Sequence, residues 1–127
     1  MGKPRILVVD DQPRARRSVK ALLAARRLAG EVQEAANGAD ALDMMEEYHP
    51  DVVLMDMRMP EMDGLEATRR IKAKWAAVKV FVLSMYGDCE QEALAAGADA
   101  FFCKTQAPEK WLATLESIAQ EERGERP

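Results

Sequence analysis

The sequence predicts a single α/β domain built on a parallel β-sheet of five strands. Short aliphatic, β-branched runs alternate five times with longer segments that have helical periodicity. Four of these runs end in, or are followed by, acidic, hydroxyl or basic residues, a pattern typical of the carboxyl edge of a parallel sheet. With 127 residues, of which 48% are hydrophobic, the chain is long enough for one core and too short for two.

The amino-terminal half contains three strand-like runs separated by two helical segments. Residues 5–9 begin with an arginine and continue with four aliphatic residues, as expected for a strand buried on both faces. Pro13 suits a first helical turn, and we expect Gly30 to end that helix. Asn37 and Gly38 predict a turn or N-cap for the next helix. The predicted elements are a strand at 5–9, a helix at 13–28, a weaker strand at 31–35, a helix at 39–48 and a strand at 52–56.

The carboxyl-terminal half continues the same alternation. A loop from 57 to 64 contains a proline and a glycine, and it precedes the third helix. Gly87 and Asp88 predict a turn and an N-cap, and Gly97 is expected to end the short alanine-rich helix that follows. The predicted elements are a helix at 65–75, a strand at 79–84, a short helix ending at Gly97, a strand at 100–103 and a helix at 108–122.

This order of elements also predicts the topology. Strands that alternate with helices through right-handed crossovers require a parallel sheet covered by helices on both faces. The economical solution is a flavodoxin-like doubly wound fold with strand order 2-1-3-4-5, in which strands one and three are neighbours. We expect the domain to occupy residues 3–120, and residues 121–127 to form a charged tail or the start of a linker.

Composition excludes several classes of function. The formal charge of −4 and the pI near 5.1 argue against direct nucleic-acid binding, because no basic stripe is present to neutralise phosphates in bulk. No segment approaches the roughly 18 apolar residues that span a membrane. Cys89 and Cys103 have no metal-ligand spacing, so we expect a reduced, cytoplasmic protein.

Polar residues that carry chemistry cluster at the predicted carboxyl edge. Three crowded carboxylates repel one another, and an all-oxygen cluster selects a hard cation such as Mg²⁺. A carboxylate can attack phosphorus to form an acyl phosphate, while an ammonium and a hydroxyl can bind the phosphoryl oxygens. Each residue alone also has an ordinary structural explanation as a cap or surface charge. Together they predict a phosphoacceptor site made of Asp10, Asp11, Asp56 as the nucleophile, Ser84 and Lys104.

Four motifs surround the expected site: ILVVDD at 6–11, VVLMDMRMP at 52–60 followed by MDG at 62–64, VLS at 82–84, and AGADAF at 96–101 leading to Lys104. With these motifs the chain resembles the receiver domain of bacterial two-component response regulators from residue 3 to residue 119. The resemblance implies a phosphoacceptor signalling domain rather than an enzyme, with Asp56 accepting a phosphoryl group from a sensor histidine kinase or a phosphotransfer protein.

The resemblance also implies a metal site and a switch. Asp11, Asp56 and the backbone carbonyl of Arg58 would bind Mg²⁺ directly, and Asp10 would act mostly through water. Ser84 and Phe101 would form the switch pair, which remodels the surface of helix four, strand five and helix five. That surface would support a homodimer or bind an output partner, and the domain itself would not bind nucleic acid or a membrane.

Departures from the family pattern surround the expected site. Met85 follows Ser84 where a small residue is usual, and Thr105 follows Lys104 where many receivers have proline, so a cis bond there cannot be assumed. Arg58 and Tyr86 occupy positions that border the path of the attacking water in this family. We hypothesise that bulky Met85, Arg58 and Tyr86 slow dephosphorylation.

Two other interpretations stay open. A haloacid-dehalogenase-type phosphatase also forms an aspartyl phosphate, but its nucleophile follows strand one with a second aspartate two residues later, and here Asp10 is followed by Asp11 and Gln12. A receiver-like interaction module that works without phosphate would keep the fold. In such a module Asp56 would remain as a structural or metal-binding residue.

Overall fold

The computed structural model describes residues 3–57, 59, 62–85, 89–104 and 107–122, with the side chains of 119–122 excepted. Within those residues five strands alternate with five helices. The elements are β1 (Arg5–Val9), α1 (Pro13–Arg26), β2 (Glu31–Ala35), α2 (Gly38–Tyr48), β3 (Val52–Asp56), α3 (Gly64–Lys74), β4 (Lys79–Ser84), α4 (Glu90–Ala95), β5 (Ala100–Cys103) and α5 (Glu109–Glu122).

The strands form one parallel sheet in the order β2-β1-β3-β4-β5. This confirms the predicted flavodoxin-like doubly wound fold, and all five strands have the predicted bounds. β1 and β3 lie inside the sheet, and their residues are buried except for Arg5 at the start of β1 and Asp56 at the end of β3. Continuous aliphatic runs suit that position because a central parallel strand has no solvent-facing side.

Two apolar layers cover the faces of the sheet. Successive strand residues point to opposite faces, so Leu7 belongs to the layer beneath α2, α3 and α4, whereas Ile6 belongs to the layer beneath α1 and α5. Leu23 of α1 and Leu112 of α5 are buried in the second layer. Among the described residues, no helix combines the length and apolar character that crossing a membrane demands.

The end of α1 differs from the prediction. The helix stops at Arg26, because Arg27 adopts a left-handed conformation with φ of 53° and its N–H returns to a carbonyl of the last turn. The N–H of Leu28 then bonds the Leu23 carbonyl at 3.1 Å, an arrangement that satisfies the end of the helix. Leu28 is buried, so the chain reverses here to bury that side chain, before it reaches Gly30.

The N-cap predicted for α2 is confirmed, and α3 has an N-cap that was not predicted. The Asn37 side chain accepts a hydrogen bond from the Asp40 N–H at 2.8 Å, and Asp63 caps α3 in the same way. Cys89 occupies the N-cap position of α4, whereas Gly87 and Asp88 lie outside the described residues. The last helix continues through Glu122, and the domain boundary at residue 120 stays a prediction.

Gly64, the first residue of α3, lies against the end of β3. A Cβ at this position would stand 2.0 Å from the Asp56 carbonyl oxygen and 3.0 Å from the Met57 Cα. The obstructing atoms are backbone, so no flexible side chain can move aside. The close approach brings the start of α3 directly beside the residue that ends β3.

Gly64→Ala is expected to lower the free energy of unfolding by roughly 2–4 kcal/mol, although alanine is the better helix former. The reason is the backbone clash, and urea unfolding followed by far-UV circular dichroism measures the change. The control is Ala73→Gly at an exposed position of the same helix, which should cost about 1 kcal/mol. A Gly64→Ala variant as stable as the wild type would contradict the close approach.

Candidate functional site

The predicted acidic residues meet at the carboxyl edge of the sheet. β1 and β3 are paired in register up to Val9 and Met55, so Asp10 and Asp56 emerge beside each other. Asp11 follows directly in the loop toward α1. Each of the three aspartates offers a carboxylate oxygen, and these oxygens all lie within 4.8 Å of one another.

Lys104 joins two of these carboxylates. Its Nζ lies 2.7 Å from Asp10 Oδ2 and 3.0 Å from Asp56 Oδ1, and its side chain is three-quarters buried. The Lys104 N–H donates to the Ser84 carbonyl at 2.6 Å, which fixes the residue after β5 against the end of β4. One ammonium therefore balances part of the charge of two aspartates from neighbouring strands.

Asp10 is held by further hydrogen bonds. Its Oδ1 accepts the Gln12 N–H at 3.0 Å, and its own N–H donates to the Ala35 carbonyl at 3.1 Å. Its backbone carbonyl accepts a hydrogen bond from Arg16 Nη1 at 2.6 Å, and Arg16 also pairs with Glu34. Sequence reasoning gave Arg16 no role, because a contact to a backbone oxygen leaves no signal in the residue pattern.

The protonation equilibria of the site reflect its burial and the charges gathered in it. Burial raises the pKa of Asp56 above its ordinary value of 3.8, and the negative charges of Asp10 and Asp11 add to this effect against the opposing ammonium of Lys104. Burial alone would lower the pKa of Lys104, but hydrogen bonds and charge attraction from the two carboxylates reverse this and raise it. Lys104 therefore stays protonated, and the site favours a group that relieves its negative charge.

An open crevice of about 400 Å³ leads to these residues. Ser84 is buried at its wall, and Met85 is 57% exposed at its rim. The volume exceeds that of several water molecules, each of which takes about 30 Å³ in the liquid. The residues that line the crevice are Asp10, Asp11, Gln12, Ala15, Asp56, Ser84, Met85 and Lys104.

The donor set fits a hard divalent cation. All three clustered side chains are carboxylates, and their oxygens are close enough to share one ion directly or through water. Mg²⁺ prefers such oxygen ligands and usually keeps several waters, whereas a site for a softer metal would contain sulfur or imidazole. Arg58, whose carbonyl was a predicted ligand, lies outside the described residues.

The remaining predicted residues either lie in β5 or fall outside the described residues. Phe101, in β5, is partly buried and packs against the apolar layer beneath α2, α3 and α4. Tyr86 and Thr105 lie outside the described residues. The roles predicted for Arg58, Tyr86 and the bond before Thr105 therefore stay predictions.

Comparisons with known proteins agree with this geometry. A family model for the response regulator receiver domain matches residues 6–116. The chain is 33% identical over 121 residues to the transcriptional regulatory protein DegU of Brevibacillus brevis, covering 94% of this chain and 51% of DegU. It is 36% identical over 124 residues to the chemotaxis protein CheY of Thermotoga maritima, covering 94% of this chain and 100% of CheY.

Solved structures give the same result. The BeF3-activated DrrB receiver domain superposes with a TM-score of 0.81 at 28% identity, covering 91% of this chain and 97% of that one. The chain spans about half the length of DegU and of several other curated relatives. Receiver domains bind Mg²⁺ at an acidic site, and the cluster of Asp10, Asp11 and Asp56 is compatible with that property.

The raised pKa of Asp56 fixes the sign of one contribution to stability. The native state holds the Asp56 proton at pH values where the unfolded chain has released it, so the native state binds more protons in that window. The free energy of unfolding therefore falls as pH rises from the ordinary aspartate value of 3.8 through the raised native value. Above that window the ionised Asp56 carboxylate destabilises the metal-free fold.

Asp56→Asn is expected to raise the melting temperature in EDTA at pH 7, because it removes this buried charge. The rise should be a few degrees, the shift that roughly 1 kcal/mol produces in a domain of this size. Thermal unfolding across a pH series measures it, and Mg²⁺ should stabilise the wild type more than the variant. Asp43→Asn, at an exposed position of α2, should change little. A lower melting temperature for Asp56→Asn in EDTA would contradict the inferred cost.

Proposed function

The chain belongs to the response regulator receiver family, and from this premise we propose that Asp56 accepts a phosphoryl group in the presence of Mg²⁺. The observation that carries the proposal is the single ammonium of Lys104 between the carboxylates of Asp10 and Asp56 in an open crevice. Such a domain is a signalling module rather than an ordinary enzyme. Its chemistry is limited to its own phosphorylation and autodephosphorylation.

Asp56 is the nucleophile in this proposal. One of its carboxylate oxygens attacks the phosphorus of a phosphohistidine, the new oxygen–phosphorus bond forms, and the bond from phosphorus to the histidine nitrogen breaks. The electron pair of the broken bond stays with the histidine ring. The ionised form of the Asp56 carboxylate is the attacking species, so the attack requires no general base. Asp11, Asp56 and the Arg58 backbone carbonyl would hold Mg²⁺ directly and Asp10 would hold it through water, and the ion would supply positive charge that favours the transfer.

Lys104 and Ser84 bind the transferred group. The Lys104 ammonium already lies 3.0 Å from Asp56 Oδ1, so it can pair with a phosphoryl oxygen attached at that carboxylate by a small movement. Ser84 ends β4 on the wall of the same crevice, and its hydroxyl can donate to a second phosphoryl oxygen. These contacts form only in the phosphorylated state, which is why they can drive a switch.

Ser84 and Phe101 are the proposed switch pair. Phosphoryl contacts favour one of two packings of this region, and about 1.4 kcal/mol of differential stabilisation changes their ratio tenfold. β5 carries Phe101 and is half-buried along its whole length, so it can rearrange without opening the centre of the core. The remodelled surface of α4, β5 and α5 would control homodimerisation or an output partner.

The partners follow from the family. Receiver domains of response regulators act with histidine kinases or phosphotransfer proteins, and we propose the same phosphodonors here. The similar DrrB domain was solved in a BeF3-activated form, and we propose that this small anion also binds the present crevice. Neither Cys89 nor Cys103 is part of a disulfide, which suits the proposed cytoplasmic location.

Incubation with acetyl phosphate and Mg²⁺ is expected to add one phosphoryl group to the wild type and none to Asp56→Asn, because only the carboxylate can form the acyl phosphate. Intact-mass spectrometry measures the adduct, and size-exclusion chromatography of the products measures dimerisation. Asp43→Asn serves as the matched control and should be phosphorylated like the wild type. No adduct on a folded, Mg²⁺-binding wild type would favour the interaction module that works without phosphate.

Met85→Ala is expected to speed loss of the phosphoryl group severalfold, because Met85 stands exposed at the rim of the crevice and narrows the path of water. The decay of the adduct in intact-mass spectra measures the rate. Arg58→Ala and Tyr86→Ala test the same predicted role. Leu94→Ala removes another large exposed apolar side chain, on α4, and should leave hydrolysis unchanged. An unchanged rate in the first three variants would contradict the hypothesis.

A further inference from the structure

A partly buried ionic cluster lies at the end of the sheet opposite the acidic site. Lys72, near the end of α3, directs its ammonium to three oxygens: the carbonyls of Ala76 and Val78 at 3.0 and 2.7 Å, and Asp99 Oδ2 at 2.9 Å. An ammonium has three N–H donors, so all of them are used. The Lys72 and Asp99 side chains are only 17% and 27% exposed. This is a fully satisfied contact rather than a solvated surface pair.

Asp99 connects this cluster to the start of β5. Its Oδ2 accepts the Val80 N–H at 2.8 Å, and its own N–H donates to the Val80 carbonyl at 2.8 Å. The two bonds clamp the residue before β5 onto the second residue of β4. Lys72 binds the same Oδ2 atom, so its charge holds the carboxylate in the position that Val80 requires.

Gly97 brings the connection between α4 and β5 onto Lys72. It has a φ of +106°, and a Cβ there would lie 3.2 Å from both Cβ and Cγ of Lys72. The connection therefore passes directly over the aliphatic stem of the lysine. The aliphatic part of the Lys72 side chain packs against Gly97, and its ammonium binds Asp99.

β5 depends on such external fixation. It has four residues and lies at the edge of the sheet, and within the described part of the chain it pairs only with β4. A slip of one residue would turn every side chain of a strand to the opposite face, and a short, half-buried strand resists such slips weakly. Lys104 follows β5 directly, so the register of this strand decides where its ammonium stands.

We infer that Lys72 and Asp99 are positioning residues for Lys104. They fix the start of β5 against β4, and the strand transmits that register over roughly 16 Å to the ammonium that joins Asp10 and Asp56. This inference rests on the proposed phosphoacceptor function for its chemical consequence, but the register itself is a property of the unphosphorylated protein. Neither residue touches the crevice.

The first experiment measures β5 without phosphate. Backbone amide hydrogen exchange, followed by mass spectrometry or NMR, is compared in the wild type, Lys72→Met and Asp99→Asn under conditions where circular dichroism shows each protein folded. Asp99→Asn keeps an oxygen that can accept the Val80 N–H and loses only the charge opposite Lys72. Both variants are expected to lose protection in residues 100–104 while β1 and β3 keep theirs. Unchanged protection of β5 in both variants overturns the inference.

The second experiment measures the chemical consequence. The rate of phosphorylation by acetyl phosphate with Mg²⁺ is compared in the wild type, Lys72→Met, Lys104→Met and the double variant. Because a misplacement of about 1 Å can cost on the order of a hundredfold, Lys72→Met should lose tenfold or more in rate. The same substitution should lose little in the Lys104→Met background, since the group it positions is gone.

A nearby lysine on α3 provides the control for both experiments. Lys74→Met lies two residues away on α3, where Lys74 is exposed and pairs with Glu46, and it should change neither exchange nor rate. An equal loss from Lys72→Met in both backgrounds would show a general structural effect and overturn the inference. A wild type that takes no phosphoryl group would refute the proposed function, and the exchange of β5 would still decide whether Lys72 and Asp99 fix the strand.

Discussion

Repulsion among three carboxylates at the end of a buried sheet is the constraint on which the site depends. Asp10 and Asp56 leave neighbouring central strands in register, so the fold itself forces them together. The Lys104 ammonium relieves part of that repulsion, and burial, the largest cause, still leaves the pKa of Asp56 raised. A site left short of positive charge is chemically suited to bind a divalent cation, and a cation is what phosphoryl transfer to a carboxylate needs.

The sheet makes this arrangement possible because the charged residues follow its most deeply buried strands. β1 and β3 are buried on both faces, and two apolar layers hold them in place. Such strands can end in charged residues without losing their register. The neighbouring helix contributes too: Arg16 binds the Asp10 carbonyl and Glu34 together, so the start of α1 is tied to the loop that presents Asp10 and Asp11.

The edge strand β5 is the part of the sheet that can change its packing. β5 is short and half-buried, yet it carries Phe101 and leads into Lys104. Hydrogen bonds hold it at both ends, from Asp99 to Val80 at its start and from Lys104 to Ser84 at its end. A strand held at its two ends and loosely packed between them can keep a charge in place while its aromatic side chain changes packing. In the proposed switch, these two properties separate catalytic positioning from signalling.

The sequence alone determined the five strands, their parallel order and the residues at their carboxyl ends. Apolar runs and the polar residues after them are local signals in β1, β3, β4 and β5, whereas the sequence EVQEA of β2 is a weaker signal. The sequence also determined the Asn37 cap, which depends on contacts three residues apart. Tertiary structure decided what local signals do not contain. Arg27 takes a left-handed conformation because Leu28 must be buried. Lys104 binds Asp10, which is 94 residues away in the chain. Lys72 contacts Asp99 because α3 packs on β4 and the start of β5 pairs with that same strand.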